Sequence, residues 1–431
     1  MAITTSLAVA AADRLLRAAL SFTVGIAVIK HLGPTENAIL ISLLAAVSVA
    51  STVSKLGLDQ IIMRDLAVPA HAAIYTALRF MLIRLCTSFV GAFILIAYGD
   101  KISSGSADSL LVAAALVILL SVDLGALWCN ALALLRYSSF FSILLQLASA
   151  GGRLALIYSS VGYVGFLVVS FLEMLGSAIV LNVIAIKNCW GKLGEAPTKS
   201  VSLTEILNSA ITSVVIVAYF AMDALLLPRL LTIEEAGVFL AGKSVIDTAT
   251  TIGSTFALAL FPYLAATKLA SAEKFERLIS ASLCVVSVVG AAMALIVCLL
   301  YSFIVAPFLG AKYVGSVPIV YILSFSLVLY LQGGVTDSIL TINRRTRVIL
   351  FKSALALLVK AAVLFFLADK MSMSLYAYIS VITAYLATFA ALFLTDRRLL
   401  FGMIKAVNIF QFPQAIKSVI HIHAEVPSRR N

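Results

Sequence analysis

Apolar residues run through this chain in long stretches that short polar segments separate. A membrane-spanning helix needs about 20 mostly apolar residues, whereas barrel strands are shorter and alternate in polarity. The stretches do not alternate, so the pattern predicts an all-α polytopic membrane protein of about twelve helices. The spans are predicted at residues 8–31, 38–62, 81–99, 109–130, 139–160, 163–186, 205–228, 236–264, 278–306, 317–342, 348–368 and 374–395.

Composition supports a lipid environment. Of the 431 residues, 62% are hydrophobic and 12% are charged, whereas soluble domains carry about 25% charged residues. A soluble fold of this length could not bury so much apolar surface, and the excess must face lipid.

The lysines and arginines predict which way the chain enters the membrane. They gather on one side of the predicted spans, for example Arg84, Arg136, Lys187, Lys268, Arg345, Lys352 and Arg397. Basic segments stay in the cytoplasm, so we expect both termini there. The net charge of +11 then reflects topology, and it does not indicate a nucleic-acid partner.

Two halves are predicted, joined by the polar segment between Lys187 and Glu205. The loops after spans one and seven share Leu32 with Leu230, Glu36 with Glu234, and Ala38 with Ala236. Six helices per half give parallel lobes around a central cavity. The predicted division is an N-terminal lobe at 1–190, a cytoplasmic linker at 191–204, a C-terminal lobe at 205–396 and a basic amphipathic cytoplasmic tail at 397–431.

Charged residues inside spans are candidates for function, because a charge in the bilayer is costly. Some have an opposite charge one helical turn away and could simply neutralise one another. These pairs are Asp13 with Arg17, Lys55 with Asp59, and Lys243 with Asp247.

Other intramembrane charges have no such neighbour: Asp123, Arg153, Glu173, Asp223 and Lys360. They must point into the protein or into a watery cavity. A cross-helix pair, such as Arg153 with Glu173, is the structural alternative to a transport pathway. Basic and acidic groups are balanced within the spans, so the sign of a cargo stays open.

The sequence offers little support for a catalytic site or a metal site. The histidines, His31, His71, His421 and His423, fall in predicted loops or in the tail, and no HExxH, GxSxG or P-loop pattern is present. The five cysteines show no CxxC spacing. We expect no enzyme, no metal and no cofactor.

Three short segments match known sequence motifs: His31–Asn37 is similar to an "LGPE" turn, Gly57–Leu66 to "GLD…RE", and Phe308–Tyr313 to "lfG-x-x-Y". In these segments the chain resembles the polysaccharide transporters, the Wzx-type O-antigen flippases of the multidrug/oligosaccharidyl-lipid/polysaccharide exporter superfamily. Asn37–Ile39 departs from the family, where an aromatic residue and a glycine are usual, and Asp65 replaces a glutamate. The motif positions are Gly33, Pro34, Glu36, Gly57, Asp59, Arg64, Asp65, Gly310 and Tyr313.

The resemblance implies a flippase of the bacterial inner membrane that moves undecaprenyl-pyrophosphate-linked oligosaccharide repeat units from the cytoplasmic to the periplasmic leaflet. Alternating access would be coupled to a proton or Na⁺ gradient, with the lipid tail in the membrane. A polymerase and a chain-length regulator of the same pathway would be partners. By this resemblance the basic groups would hold the diphosphate, namely Arg14, Arg17, Lys55, Arg153, Lys243 and Lys360. The acidic groups would carry the coupling ion, namely Asp123, Glu173, Asp223 and Asp247.

Three rival interpretations are kept. A cation-coupled small-molecule or multidrug exporter of the same superfamily would have the same fold. A polysaccharide polymerase would need a large external loop, which the chain lacks. A membrane scaffold would have no use for charges within its spans.

Overall fold

The computed structural model describes residues 2–59, 73–102, 106–131, 135–189, 203–343 and 345–406. These residues form helices and turns, with no strand among them. The longer helices are α1 Ala2–Ser54, α2 Ala73–Ile102, α3 Ala107–Val122, α5 Leu135–Tyr158, α6 Tyr163–Cys189, α7 Leu203–Leu230, α8 Ile233–Ala270, α9 Ala272–Leu300, α12 Ser326–Ile342, α13 Thr346–Phe366 and α14 Met373–Thr395. The shorter ones are α4 Gly125–Ala131, α10 Ala306–Leu309, α11 Ser316–Ser324 and α15 Arg397–Lys405.

The described helices supply about ten to twelve candidate crossings. Ten segments are long and apolar enough to span a membrane. One of them, Leu16–Ser54, bends at Gly33, where φ is 71°, and so supplies two crossings. Helix α8 is long enough to cross, at 38 residues, but it is not among these ten segments. The predicted all-α polytopic fold is therefore confirmed.

The chain divides into two compact units, Met1–Leu240 and Ala241–Asn431. The predicted linker at 191–204 falls largely outside the described residues, and the division into six-helix lobes stays a prediction. The tail is described only as far as 406, where the short helix α15 follows α14.

The first unit is built around α1. Beyond the bend, α1 packs against α7, and the Ser42 hydroxyl donates to the Ala224 carbonyl at 2.7 Å. Val47, Leu116 and Leu167 belong to its main apolar cluster. A second cluster around Leu58 and Trp128 fills the end of the unit where α1 stops.

The second unit packs α9 against α12 and α13 against α14. It also carries buried polar contacts, including a hydrogen bond of 2.5 Å between the hydroxyls of Tyr301 and Ser316. A π-helical turn at Tyr301–Val305 interrupts the long segment that begins with α9. A further interruption at Phe325 separates α11 from α12.

Candidate functional site

Four charged residues lie together where α1 ends, in the first unit. The Arg84 guanidinium on α2 donates a short hydrogen bond to the Asp59 carboxylate. Asp123, between α3 and α4, lies within electrostatic range of Arg84, Lys55 and Asp59. We call these four residues the α1-end cluster. Its charged side chains come from the end of α1, from α2 and from the connection between α3 and α4, and they attract one another electrostatically.

The α1-end cluster overturns two expectations. Lys55 and Asp59 do not share a helix face, because α1 stops at Ser54 and Leu56 and Gly57 have positive φ. Asp59 instead contacts Arg84, which sequence patterning assigned to the basic side of the membrane but whose side chain is completely buried.

Two close-packed glycines hold the carboxylates of this cluster in place. A Cβ on Gly57 would lie 2.2 Å from the Ala210 backbone nitrogen on α7. A Cβ on Gly125 would lie 2.6 Å from the Asn182 backbone nitrogen on α6. Each glycine is two residues from a carboxylate, Asp59 or Asp123, at a break between helices. The breaks therefore set where these charges lie.

Arg153 and Glu173 form a second site, between α5 and α6. The Arg153 Nη2 atom lies 3.0 Å from the Glu173 Oε2 atom, which also accepts a 2.5 Å hydrogen bond from the Ser149 hydroxyl. The structural alternative predicted for these two residues is thus observed: they neutralise each other across two helices. Both side chains are partly exposed.

In the second unit, Lys243 and Asp247 pair on α8. The Nζ and Oδ2 atoms are 2.6 Å apart, which confirms the pair predicted from their spacing of one turn. Lys360 lies elsewhere in this unit: it is buried on α13, with Nζ 5.3 Å from the centre of the Tyr376 ring on α14.

Sequence reasoning missed a further pair in this unit. The Lys352 Nζ atom on α13 lies 2.5 Å from the Asp337 Oδ1 atom on α12. Asp337 lies within a predicted span and should have been counted with the other carboxylates. Lys352 was attributed to the basic side of the membrane because it follows Arg344, Arg345 and Arg347 closely.

The remaining candidates are not brought into one site. Arg17 is half-buried on α1, and Asp223 is buried on α7. The side chains of Asp13 and Arg14 lie outside the described part of the chain, as do Arg64 and Asp65.

Three of these ion pairs share one arrangement: the basic side chain is buried and the carboxylate is exposed. The exposed fractions are 0% and 44% for Arg84 and Asp59, 14% and 52% for Lys243 and Asp247, and 12% and 37% for Lys352 and Asp337. Asp337 lies in a candidate span, Asp247 lies on α8, and Asp59 lies just beyond the end of α1. A carboxylate that is exposed at such a position must meet water, because lipid cannot solvate it. We call Asp59, Asp247 and Asp337 the exposed carboxylates.

The motif residues near Gly33 have structural roles. The Glu36 Oε2 atom accepts a 3.0 Å hydrogen bond from the backbone N–H of Tyr163, at the start of α6. The His31 Nε2 atom donates to the Val161 carbonyl, 3.2 Å away. Both side chains reach from the bend in α1 to the turn before α6, so they fasten that turn.

The proposed internal match of Glu36 with Glu234 does not extend to their contacts. Glu235, one residue further on, accepts hydrogen bonds from the Thr232 backbone N–H at 3.1 Å and from its hydroxyl at 2.8 Å. This is a capping box at the start of α8. Glu36 accepts a hydrogen bond from another helix, whereas Glu235 caps the helix to which it belongs.

The motif around Gly310 is a turn that holds a buried side chain, Tyr313. Gly310 has φ of 94°, and its carbonyl accepts from the Tyr313 backbone N–H at 3.0 Å. Tyr313 is buried, and burial raises the pKa of its hydroxyl. The motif therefore anchors the turn between α10 and α11. Among the described residues, no group of three or more His, Cys, Asp or Glu side chains is placed to hold a metal ion.

Comparison with solved structures shows the fold. A multidrug resistance MATE family transporter of the MOP superfamily, in its inward-facing conformation, aligns over 96% of this chain and 99% of its own, with a TM-score of 0.58 and 12% identity. The outward-facing conformation of such a transporter aligns over 94% and 96%, with a TM-score of 0.56 and 13% identity. The MATE multidrug transporter DinF-BH, in a ligand complex, aligns over 92% and 94%, with a TM-score of 0.58 and 14% identity.

No protein-family model matches the chain, and no curated protein matches its sequence. The solved structures define the class: this is a multi-pass helical membrane protein with the fold of MATE transporters, which are not enzymes. At 12–14% identity the likeness concerns the fold.

Proposed function

We propose that the chain is an exporter of the multidrug type, which moves organic cations out of the cytosol while H⁺ or Na⁺ moves in. The similar solved structures include multidrug transporters, and their alignments cover nearly the whole chain. We place the protein in a bacterial inner membrane with both termini in the cytoplasm, following its basic segments.

The exposed carboxylates carry this proposal. In their three pairs the lysine or arginine is turned into the protein and the carboxylate meets solvent. A cation or a proton approaching from water therefore meets negative charge first. Each pair is electrically neutral, so a bound cation must compete with the buried lysine or arginine for the carboxylate. The cation is released when the carboxylate pairs with that lysine or arginine again.

Flipping of lipid-linked oligosaccharides is the second candidate, favoured by the similarity of Gly57–Leu66 to that family. A diphosphate carrier should offer its basic groups to the cargo. Arg153 and Lys243 instead contact carboxylates, and Lys360 is buried against an aromatic ring. The charges thus favour a cationic cargo over an undecaprenyl-pyrophosphate one.

Transport by the purified full-length chain in proteoliposomes tests the proposal. Ethidium, a fluorescent organic cation, is the probe, and a pH or Na⁺ gradient is imposed across the vesicle. We expect gradient-dependent ethidium movement that falls at least tenfold in Asp247→Asn. The matched control is Asp369→Asn, an exposed carboxylate in the turn after α13, which should transport normally.

Two outcomes would reject a cation exporter. One is ethidium movement that ignores the gradient and is the same in both variants. The other comes from deleting the gene in its host: loss of long surface polysaccharide, with single repeat units held on the cytoplasmic leaflet, would establish the flippase instead.

A further inference from the structure

Helix α15 presents two contrasting faces. Leu399, Leu400 and Met403 are buried against the second unit. The opposite face is exposed and consists of Arg397, Arg398, Phe401, Ile404 and Lys405. Phe401 lies at its centre, since 397, 398, 404 and 405 are three or four residues away on the same side of the helix. We call these five residues the outer face of α15.

The buried face fixes this helix to the protein. The Gln332 Nε2 atom on α12 donates to the Met403 carbonyl at 3.2 Å and to the Ser287 hydroxyl on α9 at 2.7 Å. The Asp396 carboxylate accepts a 3.3 Å hydrogen bond from the Leu399 backbone N–H and so caps the first turn. The outer face is therefore held in one orientation.

Helix α15 must lie at the membrane boundary. The last span, α14, ends at Thr395 and α15 begins at Arg397, so one residue separates them. An exposed phenylalanine and isoleucine at that level can enter the interface between headgroups and acyl chains. The flanking basic side chains can reach the headgroups.

The surrounding surface at this end of the second unit is also basic. Arg345, between α12 and α13, pairs with Asp396 at 2.9 Å, and Lys268, near the end of α8, contacts the Ile342 carbonyl at 2.9 Å. These contacts bring the α12–α13 and α8–α9 connections close to α15. The exposed basic residues here, besides those of α15, are Lys268, Lys274, Arg277, Arg345 and Arg347. The acidic residues here are the exposed Glu273 and Glu276 and the mostly buried Asp396; Glu273 pairs with Arg277, and Asp396 pairs with Arg345.

We propose that the outer face of α15 binds the headgroups of anionic phospholipids in the adjoining leaflet. Phe401 and Ile404 enter the acyl boundary, and Arg398 and Lys405 contact the phosphates. Arg397 stacks on the Phe393 ring of the last span, 4.4 Å away, and presents its charge at the same level. A cluster of basic residues beside an apolar anchor is the chemistry that anionic lipid surfaces attract.

A lipid fits this face better than a soluble partner does. The apolar residues lie among the basic ones on a helix that begins one residue after a span. A partner for this face must therefore be both apolar and anionic, and it must lie at the membrane surface. This binding does not depend on what the protein transports. It does connect the leaflet to α12, because Gln332 holds α15 and Asp337 follows it on the same helix.

Tryptophan quenching by brominated lipids tests this inference on the full-length chain. The variant Phe401→Trp is placed in vesicles that contain phosphatidylcholine and phosphatidylglycerol, one of which is brominated. The parent chain, with Trp128 and Trp190, gives the background. We expect brominated phosphatidylglycerol to quench Phe401→Trp more strongly than brominated phosphatidylcholine does. Adding Arg398→Gln and Lys405→Gln should reduce this preference for phosphatidylglycerol by about tenfold or more.

The control places a probe at the opposite end of the second unit. Phe303→Trp, combined with Lys312→Gln, replaces an exposed aromatic and a nearby exposed basic residue there. The preference of this probe for phosphatidylglycerol over phosphatidylcholine should be the same with and without Lys312→Gln. Equal quenching of Phe401→Trp by both lipids, in the chain with all its basic residues, would overturn the proposal whether or not the protein transports ethidium.

Discussion

The Asp59 carboxylate accepts a hydrogen bond from Arg84, whose guanidinium is completely enclosed while the carboxylate is almost half exposed. Two other nitrogens of Arg84, Nε and Nη1, are buried and make no hydrogen bond to the described residues. The arginine thus depends on one carboxylate directly and on Asp123 at longer range. This makes Asp59 the critical partner in the α1-end cluster.

Replacing Asp59 should expose that dependence. In Asp59→Asn the buried guanidinium loses its counter-charge, and breaking such a pair costs about 3–5 kcal/mol. We expect a clearly lower melting temperature in detergent. Asp59→Asn combined with Arg84→Met should recover most of the loss, because the charge is then absent. Asp108→Asn, at an exposed position near the start of α3, is the control. A single variant as stable as this control would contradict the prediction.

The close-packed glycines make a second test. Gly57→Ala and Gly125→Ala should each destabilise the protein strongly, because the new methyl groups meet backbone atoms that cannot turn aside. Gly57→Ala also places alanine at φ of 63°. Gly151→Ala is the matched control, since nothing lies within 4 Å of its Cβ position. That change should be neutral or stabilise α5 by about 0.5–1 kcal/mol. Thermal unfolding followed by size-exclusion chromatography measures all three.

The Glu36 contact predicts a moderate effect. Glu36→Ala removes the acceptor for the Tyr163 N–H at the start of α6, and losing a cap of this kind costs about 0.5–2 kcal/mol. Glu36→Gln keeps an acceptor oxygen and should cost less. Glu234→Ala, the position that sequence comparison matched to Glu36, is exposed and should change stability little. Equal effects at both glutamates would show that the contact adds nothing.

The pair of Arg153 with Glu173 separates the two candidate cargoes. If Arg153 only neutralises Glu173, then Arg153→Met with Glu173→Met should keep ethidium transport within about threefold of the parent. Arg153→Met alone leaves Glu173 uncompensated and should lower stability. If Arg153 held a diphosphate, the double variant would instead lose polysaccharide export in the host while remaining folded.

The sequence predicted the spans well because length and apolarity are properties of one segment at a time. It also predicted the pair of Lys243 with Asp247, since both residues lie on one continuous helix. It was wrong about Lys55 and Asp59, because the turn at Gly57 removes the helical spacing. That turn depends on the close approach of α7, which no local pattern reports.

Contacts between helices were harder to predict. Asp337 and Lys352 are fifteen residues apart on different helices, and the nearby arginines made Lys352 look like part of a topological signal. Which member of each pair is exposed depends on packing from all sides. The basic candidates were therefore identified as charges, but their burial became visible only in the folded chain.

The bend in α1 decides where this protein can be probed. His31 and Glu36 fasten it to the turn before α6, and a Cβ on Gly237 would lie 1.8 Å from the Pro34 carbonyl. An epitope tag inserted beside Pro34 would therefore disrupt the packing of this bend. The exposed turn at Ala368–Lys370 has no such constraint, so it is the better insertion point for antibody labelling that maps which side of the membrane the chain presents.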